Sequence, residues 1–180
     1  MEENQPKTGK FSLNYGVLLG LVSIVFSVML YTQNMHYEMS TPIIIVSIAL
    51  TIIVIFIGVN AFKKANSGYL KIVDALKVGV GIALVSTILS LAYQYVLINF
   101  IEPDFMDKAM EIAKVKTFED NPSLTEEQWE QGAAMQKKFA WMRYPIGLII
   151  SCVLGLVIGL VTGLILKKDK ASYLGKKYYF

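Results

Sequence analysis

His36 is the only histidine of the chain, and its neighbours give it the clearest potential for chemistry. Met35 and Met39 flank it, and thioether and imidazole groups are ligands that suit Cu(I). Flexible methionine side chains also fill irregular packing surfaces, and six of the eight methionines lie at or beyond one predicted membrane boundary. Packing is therefore the favoured interpretation of the methionines. We predict no metal ligand and no cofactor.

Enzymatic catalysis has little support in the sequence. One histidine beside Glu38 provides no Ser–His–Asp or Cys–His set, and P-loop, GxGxxG, HExxH and CxxC patterns are absent. Cys152, the single cysteine, lies in an apolar run, where a small buried hydrophobe is favoured over a redox or acylation role. We therefore predict a protein that is not an enzyme and has no catalytic residues.

Four apolar segments must position these residues. Each contains no Asp, Glu, Lys, Arg or His over 23 to 25 residues: Phe11–Met35, Met39–Phe62, Val78–Ile101 and Tyr144–Leu166. A helix rises about 1.5 Å per residue, so each segment can cross a hydrocarbon core of roughly 30 Å. The sequence predicts one all-α integral membrane domain, residues 1–180, with four transmembrane helices at about 11–33, 42–62, 78–100 and 145–166.

Lysines predict how the chain is threaded through the membrane. They cluster before the first span, between the second and third spans, and in the tail 167–180, and short loops rich in Lys and Arg stay in the cytoplasm. Both termini are therefore expected in the cytoplasm. Residues 102–143, with nine acidic and six basic residues, are expected outside it. A net charge of +3 is too small to indicate nucleic acid as a partner.

The loop 102–143 has the pattern of an extracytoplasmic amphipathic helical hairpin between spans three and four. Pro103 is well placed near a helix start, and apolar residues recur after it at three- and four-residue spacing. Asn121-Pro122 interrupts this pattern. The segment Ser123-Leu124-Thr125-Glu126 then predicts a capping box at the start of a second helix.

Small residues recur at every fourth position of the fourth span, which places them on one helix face. They are Gly147, Ser151, Gly155, Gly159 and Gly163. Such a face lets another helix backbone approach closely. It predicts either a dimer seam or, as the favoured alternative, packing within the same bundle against Gly16 and Gly20 of the first span.

The third span carries a polar stripe formed by Gly79, Ala83, Thr87, Ser90 and Gln94, with Asn99 near its end. The stripe could line a polar path, but interhelical hydrogen bonds are the more common use of such residues. None of the four spans contains an acidic or basic side chain to relay protons or hold an ion. Transport is therefore the less favoured hypothesis.

Two segments resemble a known family. Gly68–Gly79 (GYLKIVDALKVG) and Glu102–Lys108 (EPDFMDK) resemble recurring segments of a four-pass, Bacteroidota-type membrane family catalogued as domain of unknown function 4199. The resemblance extends from the first span through Lys168. Members usually carry Phe-Gly where this chain has Val73-Asp74, so that turn is expected to differ. The resemblance implies the same topology and a bacterial inner-membrane location, and it transfers no active site.

Together these observations predict a multi-pass protein of the bacterial inner (plasma) membrane with a non-enzymatic accessory or interaction role. Its partners are expected to be the lipid bilayer and either a second copy of the chain or another membrane protein, contacted by the hairpin. The alternative is a small transporter or channel subunit that acts as an oligomer.

Overall fold

Six helices make up the part of the chain that the structure describes, residues 6–37 and 40–168 of a computed structural model. They are α1 (Thr8–Thr32), α2 (Thr41–Ala65), α3 (Ile72–Val96), α4 (Phe105–Asp120), α5 (Glu126–Lys138) and α6 (Arg143–Leu166). A π-helical turn, Leu97–Ile101, extends α3, and a 3₁₀ turn, Ala140–Met142, precedes α6. No strand occurs in these ranges, so the predicted all-α class is confirmed.

Four of the helical segments are long and apolar enough to cross a membrane: Thr8–Thr32, Thr41–Ala65, Ile72–Ile101 and Ala140–Leu166. A helix suits hydrocarbon because its backbone groups are hydrogen-bonded within the segment. These helices indicate a multi-pass membrane protein, and their number matches the four predicted spans. Each extends beyond its charge-free stretch at one end, since a helix does not need to end where the hydrocarbon does.

The third helix is the centre of the bundle. α1 lies along one side of α3 and α6 along the other, while α2 touches all three less extensively. Phe11 of α1 and Phe62 of α2 meet edge to face, with ring centroids 5.5 Å apart. Consequently most helix–helix packing in this protein passes through α3.

Packing is tight at only one end of the bundle, which we call the basic end because Lys63, Lys64, Lys71, Lys77 and Lys167 lie there. Buried positions of the spans fall within 12–20, 54–62, 75–86 and 155–163, and all except Ser86 lie in the halves nearest this end. Ile55, Val59, Val78 and Ile82 have no exposed surface. In the opposite halves of the four spanning α-helices, Ser86 is the only buried residue.

The backbone closes the basic end. Ser67 and Gly68 adopt left-handed conformations, with φ of 55° and 81°, in the turn between α2 and α3. Leu70, which is fully buried, then exchanges two backbone hydrogen bonds with Lys168, of 3.0 and 3.2 Å. The tail 169–180, like Glu38 and Met39, lies outside the described residues.

The segment between α3 and α6 contains two helices where a hairpin is predicted. Lys114 of α4 pairs with Glu126 of α5 at 2.7 Å, and Lys137 of α5 pairs with Asp107 of α4 at 3.5 Å. Phe118 and Trp129 also have their rings in contact. The end of the bundle that carries these helices is called the α4–α5 end below. Its side of the membrane stays a prediction.

The cap of α5 lies two residues later than the sequence predicts. Thr125 is the N-cap, its hydroxyl accepts from the Gln128 N–H at 3.3 Å, and the Gln128 side chain accepts from the Thr125 N–H at 3.0 Å. The predicted box of Ser123 and Glu126 is therefore wrong. The reason is a preceding turn, in which the Leu124 N–H donates to the Asn121 carbonyl, so that helical geometry begins only after Thr125.

Candidate functional site

A buried carboxylate marks the α4–α5 end. Glu102 directly follows the π-helical turn of α3, and its N–H donates to the Leu97 carbonyl at 2.7 Å. The residue is only 8% exposed. Glutamate is almost never this buried unless it is paired, and π-helical turns within helices are frequent at functional sites. Glu102 is therefore the starting point of the candidate site.

Three side chains hold the Glu102 carboxylate. Lys108 Nζ donates to Oε1 at 2.8 Å, the Tyr37 hydroxyl donates to the same oxygen, and His36 Nε2 lies 2.8 Å from Oε2. The Lys108 ammonium contributes most to lowering the pKa of Glu102 to about 2, followed by Tyr37, while burial acts in the opposite direction. The carboxylate is therefore ionised at neutral pH. Its bonds in turn raise the pKa of Lys108 and of Tyr37.

The contact with Glu102 determines the tautomer of His36. An ionised carboxylate can only accept hydrogen bonds, so His36 Nε2 must carry a proton. In the neutral ring the lone pair is then on Nδ1. That nitrogen is buried, and it has no hydrogen-bond partner among the residues described. His36 therefore presents one satisfied and one unsatisfied ring nitrogen.

Aromatic rings fix the plane of the imidazole. The ring centroids of Tyr31, Tyr37 and Phe105 lie 4.8, 4.0 and 5.7 Å from that of His36. Tyr37 and Phe105 also stack on each other at 5.6 Å. These residues come from the end of α1, the following loop and the start of α4. The packing holds His36 in place from three segments, which is the preorganisation that a binding site requires.

A cavity of about 360 Å³ lies beside His36, between the loosely packed halves of α1, α2 and α3. Its walls are mostly apolar, with Phe26, Leu30 and Leu91 among them. Each of the three helices also contributes hydroxyl or amide groups: Ser27, Ser47, Thr87, Ser90 and Gln94. Ligand pockets typically have 300–1,000 Å³, apolar walls and a few placed polar groups. This cavity fits that description at its small end.

The predicted polar stripe of the third span divides between two environments. Thr87, Ser90 and Gln94 line the cavity. Gly79 and Ala83 instead contact α6 near the basic end, where Gly155 lies against both. Asn99 is exposed and its amide donates to the Tyr95 carbonyl at 2.8 Å.

Three of the small residues predicted on the fourth span face α3. A Cβ atom added at Gly155 would lie 2.7 Å from Ala83 Cβ, and one at Gly163 would lie 2.9 Å from Ala75 Cβ. At Gly159 it would lie 3.0 Å from the Ala75 carbonyl oxygen. These distances require the absence of a side chain at Gly155 and Gly163.

The first-span glycines contact a different part of α3. A Cβ atom at Gly16 would lie 2.5 Å from Val85 Cβ, and one at Gly20 would lie 2.7 Å from Leu89 Cδ1. Direct packing of the fourth span against Gly16 and Gly20 is not what the structure shows, because α3 lies between α1 and α6. Gly147 has open space around it, and Ser151 donates to the Leu148 carbonyl of its own helix at 2.9 Å.

Two of the three residues weighed for copper, Met35 and His36, line the same cavity. The third, Met39, lies outside the described residues. Met106 accepts hydrogen bonds from Arg143 at 3.4 Å. Within residues 6–37 and 40–168, no group of three or more His, Cys, Asp and Glu side chains is arranged to hold a metal ion.

Reasoning from the sequence missed the pairing of His36 with Glu102. Both residues directly follow a predicted span, and both spans end at the same side of the membrane in the predicted topology. That coincidence was the available signal. It was weak because a sequence does not show which of several charged loop residues turns inwards.

Comparison with known proteins gives one match. The family model described as "Protein of unknown function (DUF4199)" matches residues 14–168, a range that includes most of the first span, the other three spans and the residues around the cavity. No curated protein and no solved structure matches the chain.

Proposed function

The chain belongs to the family described as protein of unknown function (DUF4199), and we propose that it is a non-enzymatic accessory protein of the bacterial inner membrane that binds a small amphiphilic molecule. The binding site is the cavity between α1, α2 and α3. The observation that carries this proposal is the contrast between the two ends of the bundle: a cavity at the α4–α5 end and close packing at the basic end.

Close packing at the basic end favours a binding site over a channel. Ile55, Val59, Val78 and Ile82 are fully buried between the cavity and the basic end. Gly79 and Gly155 bring the backbones of α3 and α6 together there. A molecule in the cavity of a single chain therefore meets packed side chains when it moves towards the basic end.

The distribution of charge supports an orientation for this protein. Lysines lie at the basic end, and short cytoplasmic loops are rich in Lys and Arg. In our proposal the basic end and both termini are therefore cytoplasmic, and the cavity lies within the extracytoplasmic leaflet. The exposed apolar side chains Val25, Ile149 and Ile165 support contact of the spans with lipid.

The contacts of Glu102 support a route by which a bound molecule would affect the α4–α5 pair. Lys108 belongs to α4 and bonds the same carboxylate as His36, which lines the cavity. Displacement of His36 would therefore be transmitted to α4 through Glu102. We propose that the α4–α5 pair, outside the membrane, presents this change to a membrane-protein partner or to a second copy of the chain.

A transporter or channel subunit is the second candidate, because Thr87, Ser90 and Gln94 give the cavity a polar wall. A continuous path would then have to form between chains in an oligomer. Solute flux through liposomes that contain only this protein, absent when the protein is monomeric, would support that candidate over ours.

Native mass spectrometry of the purified full chain tests the proposal. The wild type, released from its own membranes in mild detergent, is expected to carry an adduct of amphiphile mass. Ser90→Phe, which places a ring in the cavity, is expected to lose it. Ile88→Phe, on the exposed face of the same helix, is the matched control and should retain it. An adduct that persists in Ser90→Phe, or is missing from the wild type, contradicts the proposal.

A further inference from the structure

We propose that the cavity selects an uncharged amphiphile with a hydroxyl head group, and that this hydroxyl hydrogen-bonds His36 Nδ1. The inference rests on the proposed ligand-binding function and specifies the chemical class of the ligand. It starts from a buried polar atom. His36 lines the cavity, its side chain is 6% exposed, and its Nδ1 has no partner within the described ranges.

A buried nitrogen without a partner destabilises a folded protein, because it has lost its hydrogen bond to water without gaining another. His36 cannot satisfy Nδ1 by exchanging its two nitrogens, because Nε2 already bonds Glu102 at 2.8 Å. Tyr31, Tyr37 and Phe105 also restrict rotation of the ring. The proposal assigns the missing partner of Nδ1 to a molecule bound in the cavity that His36 lines.

A hydroxyl group matches Nδ1 in either protonation state of the ring. With a proton on Nε2 alone, Nδ1 accepts, and a hydroxyl can donate to it. In the doubly protonated ring, Nδ1–H donates, and the same hydroxyl can accept. An ether or an ester offers only an acceptor. A hydroxyl is thus the simplest head group that satisfies the nitrogen throughout.

Charge disfavours an ionic head group. Among the described residues that line the cavity, none is Asp, Glu, Lys or Arg. The nearby negative charge of Glu102 is already balanced by Lys108, whose Nζ lies 2.8 Å from Oε1. A phosphate, carboxylate or ammonium group in the cavity would lose hydration without gaining a free countercharge, which is unfavourable in an apolar site.

The remaining walls match an apolar chain. Phe26, Leu30 and Leu91 line the cavity together with Phe105, which also packs on the His36 ring. At about 30 Å³ for each water-sized group, 360 Å³ holds roughly a dozen non-hydrogen atoms. That is enough for a head group and the first part of an alkyl chain, with the rest of the chain lying in lipid.

Calorimetric titration of the full chain in lipid nanodiscs tests the inference, with empty nanodiscs as the blank. The probes are 1-dodecanol, dodecyl methyl ether and dodecanoate. We expect wild-type protein to bind the alcohol about tenfold more tightly than either other probe, since only the alcohol can donate to Nδ1. Equal affinities for alcohol and ether would mean that water satisfies Nδ1, and would overturn the inference.

His36→Gln is the informative variant, because its amide N–H₂ can keep the bond to Glu102 while the Nδ1 position is lost. It should bind alcohol and ether equally, whereas Ile88→Phe should keep the tenfold preference. A preference that survives in His36→Gln overturns the inference even if binding itself is real. Wild-type and Ser90→Phe protein that both fail to bind every probe would instead contradict the proposed function.

Discussion

The His36 Nε2 atom lies 2.8 Å from Glu102 Oε2, although 66 residues separate the two in the chain. This bond connects the loop after α1 to the end of α3, and Lys108 extends it to α4. It also places the only histidine of the chain against the cavity. The pair therefore stabilises the α4–α5 end, where the spans bury little of one another, and positions the group that would recognise a ligand.

The Glu102 carboxylate should make the protein sensitive to acid. Its pKa is about 2 in the folded protein against a usual 4.5, so its stabilisation is complete above pH 4.5 and is lost as the pH falls towards 2. The shift corresponds to on the order of 3 kcal/mol. Glu102→Gln should therefore melt at a lower temperature than the wild type at pH 7. Between pH 7 and pH 3 its melting temperature should fall less than that of the wild type.

Circular dichroism melts in detergent at pH 7, 5 and 3 measure this effect. Glu119→Gln removes an exposed carboxylate of α4 and is the matched control, expected to behave as the wild type. If Glu102→Gln and Glu119→Gln lose the same amount of stability between pH 7 and 3, the assignment to Glu102 is wrong.

Gly155→Ala should destabilise the bundle. The added methyl would lie 2.7 Å from Ala83 Cβ and 2.8 Å from the Gly79 carbonyl oxygen, and a backbone atom cannot move aside cheaply. Overpacking of this kind costs about 1–3 kcal/mol. Gly147→Ala places the same methyl in open space on the same helix and should be neutral or slightly stabilising. Thermal melts that rank the two variants in the opposite order would contradict the packing of α6 on α3.

Thr125→Ala should loosen the start of α5. It removes the hydroxyl that accepts from the Gln128 N–H, and loss of an N-cap costs about 1 kcal/mol. Hydrogen exchange of the first-turn amides of α5 is expected to speed up several-fold. Ser123→Ala, in the preceding turn, should leave these rates unchanged. If exchange speeds up only in Ser123→Ala, the N-cap is Ser123, as the sequence pattern predicts, and not Thr125.

Labelling in intact cells tests the proposed orientation. In a Cys152→Ala background, Glu119→Cys on α4 is expected to react with a membrane-impermeant maleimide. Ser67→Cys, in the exposed turn at the basic end, should react only after the cells are opened. The reverse pattern would invert the topology and would place the cavity in the cytoplasmic leaflet.

Several features of the fold could be predicted because they depend on short stretches of chain. The four charge-free segments predicted four spanning helices, and the pattern after Pro103 predicted α4. The N-cap of α5 was predicted two residues too early, at Ser123 instead of Thr125. The turn that begins at Asn121 uses the same backbone groups and delays the start of the helix. The sequence did not predict which helix the fourth-span glycines face. That depends on how α1, α3 and α6 are arranged in space, which short stretches of chain do not determine.

By itself, the sequence determined the all-α class, the number of spans and the family. A backbone in lipid must satisfy its own hydrogen bonds, and this requirement applies to each segment separately. Only the tertiary structure decided that α3 is the central helix and that the bundle is loose at the α4–α5 end. It also decided that His36 meets Glu102. The energy of burying a charge depends on partners supplied by distant segments, and those partners meet only when the helices have packed.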